Sequence, residues 1–194
     1  MKLGKVYHSS REQGLKKLIP QKSTHGVEWV YGTKDLVMSA VFLNSYGGDF
    51  TCSIGREEET GKVYICERFK GAFDLRYDSI QGSIYVLSQD NFLDGRTSWS
   101  EEVVCPAPVE IIDETKIEDA KEFLISLEKQ GKLIIKYYPE KIDGIPSDDE
   151  DLVMRGIIWT RRFGDRILES VKLFHPHLLE RILQGLNEDK YIDF

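Results

Sequence analysis

Short alternations of apolar and polar positions occupy the first part of the chain, and longer apolar stripes of helical spacing occupy the last. Val6-Tyr7 running into His8-Ser9-Ser10 reads as a strand over 6–9, and Trp29-Val30-Tyr31 as a second over 28–31. Between them, 12–18 reads as a short helix closed by Pro20. Thr33 can cap a following helix over 35–44, in which Leu36, Val37, Ala40, Val41 and Leu43 share one face. A loop over 44–49 carries Tyr46-Gly47-Gly48. Strands over 51–54 and 63–66 flank the acidic turn Glu57-Glu58-Glu59-Thr60-Gly61, a hairpin pattern. Further strands are expected over 72–77, 83–87, 101–105 and 109–112, with Pro106 and Pro108 forcing a break or a sheet edge.

Beyond residue 113 the apolar period changes from two to 3.6. Thr115 and Glu118 form a capping box for a stripe of Ile117, Ala120, Leu124 and Leu127 that ends near Gly131. Ser147 and Glu150, with three further aspartates in the first turn, open a helix reaching about Phe163. Asp165 opens the next, Pro176 interrupts it, and His175 caps a last helix over 177–186. This division predicts an α+β core over 1–113 and a helical C-terminal extension over 114–194 packed on it.

Charge narrows the partners. The 194 residues carry a net charge of −7, with 13 basic against 16 acidic side chains over 1–113 and 13 against 17 over 114–194. Neither part is a basic surface for nucleic acid. Cys52, Cys66 and Cys105 are an odd number without CxxC spacing, the pattern of reduced thiols in a cytoplasmic protein. The longest strongly apolar run, 36–43, is far short of the roughly 20 residues of a membrane span, so no membrane association is expected.

Several chemistries lack their motifs. The sequence contains no GxGxxG after a strand, no GxxxxGK[ST], no HExxH and no GxSxG. His175-Pro176-His177 has no further ligand nearby to complete a metal shell and reads as surface helix capping, so no metal site is expected. What remains is His8 at one strand end, Tyr31 at another, and the acidic pair Glu101-Glu102 opening a later strand. Taken singly, such a His is a satisfied structural residue and such a Tyr a packing residue.

Taken in order, four blocks resemble the ADP-ribosyltransferase superfamily of the H-Y-E type. They are Tyr7-His8-Ser9-Ser10, then Val30-Tyr31-Gly32-Thr33-Lys34-Asp35 with Ala40 downstream, Gly82-Ser83-Ile84-Tyr85-Val86-Leu87, and Glu101-Glu102-Val103-Val104 before Pro108-Val109. The layout is similar to that of small bacterial rifamycin ADP-ribosyltransferases. It covers about residues 4–113 and leaves 114–194 outside.

The resemblance implies a split β-sheet core and NAD as co-substrate, with ADP-ribose passing to an unidentified acceptor and nicotinamide released. His8 would bond a ribose hydroxyl of NAD, backbone groups of Ser9 would hold the carboxamide, and Tyr31 would lay its face on the nicotinamide ring. Thr33 belongs to the same cofactor-binding block. Glu102, which fits the family block better than Glu101, would be the catalytic residue, stabilising the charge that develops as nicotinamide leaves. Lys34 and Arg11 would meet the diphosphate. The family has Gly where this chain has Ser9, so crowding by that side chain is expected. A related branch handles 2'-phosphorylated RNA ends, against which the acidic balance argues here. Two alternatives stand beside the transferase: a noncatalytic interaction module on the same fold, meeting a protein partner through the C-terminal helices, and a glycohydrolase that cleaves NAD without an acceptor.

Overall fold

The structure, a computed structural model, describes residues 4–22, 26–45 and 50–192. The loop expected over 44–49 therefore lies mostly outside the described residues. In chain order the elements are β1 (Lys5–Ser10), β2 (Lys17–Leu18), β3 (Gln21–Lys22), β4 (Glu28–Thr33), α1 (Leu36–Ala40), β5 (Cys52–Arg56), β6 (Val63–Glu67), α2 (Ala72–Tyr77) and β7 (Gly82–Ser88). They continue with β8 (Glu102–Cys105), β9 (Val109–Glu110), β10 (Asp113–Ile117), α3 (Ala120–Lys129), β11 (Leu133–Lys136), α4 (Glu150–Phe163), α5 (Arg166–Phe174) and α6 (Leu179–Asn187). The class is α+β. Two compact units divide the chain, one of residues 1–45 and 74–134, the other of 46–73 and 135–194. Among the described residues no helix is long and apolar enough to cross a membrane.

The first unit is built on a mixed-length antiparallel sheet in the order β10-β7-β1-β4-β3, with β8 on the other edge of β4. Alternation along these strands gathers Val6, Val30, Tyr85, Leu87, Val103 and Cys105 into one buried cluster, closed by Leu18 and Phe92. Toward the other face α1 lies near β1, β4 and β7. Its cap is Asp35, whose carboxylate accepts from the amides of Val37 and Met38, while Thr33 Oγ1 accepts from the Asp35 amide one step earlier. Thr33 is thus not the cap. The helix also stops earlier than the apolar stripe suggests, because Phe42 and Leu43 bond the carbonyls three residues back and tighten the last turn. The buried Tyr77 hydroxyl donates to the Val41 carbonyl at 2.8 Å and satisfies one of the terminal acceptors.

Three expectations give way here. Residues 12–18 form no helix; Gly14 takes a left-handed φ of +75° and the segment turns into β2. Residues 72–77 are a helix rather than a strand. The change to helical structure comes later than residue 113: 113–117 is a strand paired along β7, and Asp119, rather than Thr115, caps α3.

In the second unit β5 and β6 make the expected hairpin, which orders with β11 as β11-β6-β5. Its turn is tied by Glu57, whose carboxylate accepts from the amide and hydroxyl of Thr60. The helices α4, α5 and α6 bury Leu152, Val153, Ile157, Val171 and Ile182 with Phe50. Packing of α4 on α6 is reciprocal: a Cβ on Gly156 would meet Ile182 at 2.5 Å, and one on Gly185 would meet Ile157 at 2.2 Å. His175 is a correction. Its backbone stands at the cap position ahead of Pro176 as expected, but it is only 1% exposed and its Nε2 donates to the Phe50 carbonyl at 2.6 Å, so the side chain is a core histidine and not a surface cap.

Candidate functional site

The site begins where two strands of the first unit separate. β1 pairs with β7 along its whole length, from Lys5 opposite Ser88 to Ser10 opposite Ser83. It meets β4 only at Tyr7 opposite Thr33, and the far end of β4 pairs instead with β3, Trp29 opposite Gln21 and Glu28 opposite Lys22. Gly32 belongs to the close part of this crossing, where a Cβ would stand 2.4 Å from Val6 Cγ1.

Backbone directions along the parted edge follow from the ladders around it. Val104 exchanges both of its bonds with Leu93, so Tyr31, opposite Val104, turns its own N–H and C=O away from β8 and toward β1. On β1 the Gly4 carbonyl bonds to Gln89 beyond the end of β7, which assigns the even-numbered positions to β7 and leaves Tyr7 and Ser9 facing β4. Ser9 therefore presents an amide donor and a carbonyl acceptor, side by side, where β4 has moved away.

His8 bridges the gap. Its Nδ1 donates to the Tyr31 carbonyl at 2.8 Å, which fixes the tautomer and leaves Nε2 as a bare acceptor. Burial holds its pKa below the ordinary imidazole value, opposed by the bond to Tyr31, so the ring is neutral near pH 7. The Ser9 hydroxyl is drawn to α1, 2.6 Å from the Ser39 carbonyl and 2.8 Å from the Ser39 hydroxyl. The Tyr31 ring is held by its own hydroxyl, which donates to the Val27 carbonyl at 2.8 Å, and by an edge-to-face contact with Trp29.

On the opposite edge of β4, Glu102 stands directly across from Thr33. Thr33 is buried, and the Glu102 carboxylate oxygen Oε2 is fully enclosed. A cleft of about 170 Å³ is lined by His8, Ser9, Tyr31, Thr33 and Glu102 together; Glu101 is not part of its wall. Phe42 and Trp99, edge-to-face at 5.3 Å, and Ser39 complete the lining. Sequence patterning misses these three. Phe42 falls inside the apolar run 36–43 but off the face that spacing selects, and it is 44% exposed. The one available signal for Trp99 is its place three residues ahead of Glu102.

A second, larger cavity of about 470 Å³ shares His8 and Tyr31 with the first and continues along the parted edge past Trp29. Lys17 and Lys22 stand on its wall. Lys34 is ion-paired with Asp94 at 2.6 Å, and neither Lys34 nor Arg11 lines either cavity. Among the described residues no group of three or more His, Cys, Asp or Glu side chains is arranged to hold a metal ion. No protein-family model, curated protein or solved structure matches this chain.

Proposed function

We propose that the paired cavities bind NAD and that the protein transfers ADP-ribose to an acceptor, releasing nicotinamide. The observation that carries this reading is the parted edge of β1 and β4, where a backbone donor and acceptor, a neutral imidazole, an aromatic face and an enclosed carboxylate border one cleft.

A primary carboxamide is the complement of the Ser9 backbone: its oxygen accepts from the Ser9 N–H and its NH₂ donates to the Ser9 carbonyl. The nicotinamide ring then lies against Tyr31, with Phe42 and Trp99 as the further aromatic walls, and the pyridinium charge meets their π-faces. His8 Nε2 accepts a ribose hydroxyl. Glu102 accepts the ribose 2-hydroxyl next to the reacting carbon. As the glycosidic C–N bond breaks, its electron pair returns to the nicotinamide nitrogen, and the positive charge left on the ribose is stabilised by the fixed carboxylate. The acceptor then bonds to that carbon and gives up its proton to Glu102 or to water. The diphosphate and second nucleoside continue into the larger cavity, past Lys17 and Lys22.

The test is a calorimetric titration with NAD followed by assay of free nicotinamide. Saturable binding that His8→Ala weakens, with nicotinamide release, supports the reading. Absence of binding at millimolar NAD overturns it. Release of nicotinamide without labelling of any acceptor makes the protein a glycohydrolase.

A further inference from the structure

The outer wall of the larger cavity includes the turn that follows β1, which is itself neither helix nor strand. Four consecutive residues of that turn are nonetheless bonded to the sheet. The Tyr85 hydroxyl donates to the Glu12 carbonyl at 2.8 Å and accepts from the Leu15 amide at 3.2 Å. Gln13 Nε2 donates to the Gly82 carbonyl at 2.8 Å, and the Gly14 amide donates to Glu114 Oε1 at 2.8 Å. The same carboxylate oxygen accepts from the Ser83 hydroxyl at 2.6 Å and lies 3.3 Å from the Tyr85 hydroxyl. Glu12 and Leu15 face the cavity, whereas Tyr85 and Ser83 are fully buried in β7. Tyr85 is also the cross-strand neighbour of His8.

A surface turn of this kind has water as an adequate partner for its backbone. Here a buried phenol and a carboxylate one hundred residues away in sequence take that role, and the one position needing a left-handed backbone is Gly14. From this we infer that Tyr85 and Glu114 are positioning residues for the dinucleotide: by fixing the 12–15 turn they shape the larger cavity before the ligand arrives. The inference rests on the NAD reading above. A preformed wall lowers the ordering cost of binding without touching the reacting bond, so its effect belongs in affinity and not in rate.

The experiment compares Tyr85→Phe, Glu114→Ala and Glu114→Gln in the full chain, by nicotinamide release and by amide hydrogen exchange. Tyr85→Phe keeps the core ring and removes both of the hydroxyl's bonds to the turn together with its contact to Glu114; Glu114→Ala removes the shared acceptor. Each is expected to speed exchange over 12–15 and to raise the KM for NAD about tenfold, the equivalent of one lost anchoring bond, with kcat changed less than about twofold. Glu114→Gln, which keeps an acceptor oxygen, restores most of the affinity. Unchanged KM in variants whose turn has loosened, or equal losses in kcat and kcat/KM, overturns the inference while leaving the NAD reading in place. Wild-type protein that neither binds nor cleaves NAD removes both.

Discussion

His8 donates its Nδ1 hydrogen to the Tyr31 carbonyl across 2.8 Å at the point where β1 and β4 separate. The bond occupies a backbone acceptor that would otherwise pair with the neighbouring strand and selects the Nδ1–H tautomer, while burial keeps the ring neutral. Burial depresses the pKa of His8, and also that of His175, below the ordinary value of 6.5. A group depressed in this way binds fewer protons folded than unfolded. Its stabilisation is therefore complete above pH 6.5 and is lost as the pH falls from there toward the folded-state value.

Urea unfolding should accordingly show lower stability at pH 5.5 than at pH 7.5, in a window separate from that of the carboxylates. Burial pushes Asp149 and Asp151 up, but Lys141 and Arg68 hold Asp149, and Arg68 holds Asp151, below the ordinary 3.8, so both lose their contribution only in stronger acid. His8→Asn keeps an N–H for the Tyr31 carbonyl but does not titrate. It and His175→Gln should each flatten the slope between the two pH values. Slopes equal to wild type in both variants would show that neither histidine carries the effect.

Glu102→Gln separates binding from chemistry. The variant keeps the size of a side chain whose Oε2 is enclosed, so the fold and the NAD affinity should stay within about threefold of wild type. The fixed negative charge is lost, and removal of a comparable electrostatic stabiliser elsewhere slows the chemical step by roughly 10²–10³. Single-turnover nicotinamide release with NAD saturating is the measurement. An unimpaired rate would exclude Glu102 from catalysis.

How much of this was legible in the sequence depends on whether local pattern or long-range pairing decides each element. The strands β1 and β4 follow short alternations of apolar and polar positions, whereas β7 and β8 are buried on both faces and are legible as short apolar runs bounded by turn residues. Residues 72–77 show the limit. Phe73, Leu75 and Tyr77 alternate as a strand would, but Phe73 and Tyr77 are also four apart, and it is Leu75 that is exposed while Ala72, Phe73, Arg76 and Tyr77 are buried. The Glu67 carboxylate, accepting from the Phe73 amide at 2.7 Å, secures the helical start, and no local pattern announces that partner. His8, Ser9, Tyr31, Thr33 and Glu102 were legible as candidates because they sit at strand ends in order. Ser39, Phe42 and Trp99 were not, since their places on the cleft depend on how α1 ends and how the loop ahead of β8 folds back.

Phe42 offers a test of the cleft's aromatic wall that leaves the core intact. It is 44% exposed and packs edge-to-face on Trp99, so Phe42→Ala should cost about 1.5–3 kcal/mol, the transfer free energy of a half-buried ring plus one aromatic pair. Under the NAD reading the same change removes a wall from the nicotinamide site, and Kd for NAD by calorimetry should rise about tenfold, the equivalent of a contact worth 1.4 kcal/mol. Phe42→Tyr should bind as wild type does. A loss of stability with no loss of affinity would place Phe42 outside the binding surface.

Arg68 gives the second unit its most demanding electrostatic arrangement. The guanidinium, 1% exposed, contacts Asp151 through both terminal nitrogens at 2.6 and 2.9 Å, Asp149 at 2.9 Å and the Ser53 hydroxyl at 2.8 Å. Asp149 is held there with a left-handed φ of 57° at the entrance of α4. A buried ion group of this kind contributes little relative to an apolar replacement of the whole set, because desolvation offsets the attraction, but removing one partner strands the others. Arg68→Met should therefore destabilise by about 3–5 kcal/mol in chemical denaturation. Lys141, 3.0 Å from Asp149, still shields that carboxylate, so the stranded charge is chiefly Asp151. Arg68→Met combined with Asp151→Leu should then be more stable than Arg68→Met alone, a non-additivity that a double-mutant cycle measures directly. If the second substitution adds its own cost instead, the arginine is held mainly by packing and its bond to Ser53, and the carboxylates are bystanders.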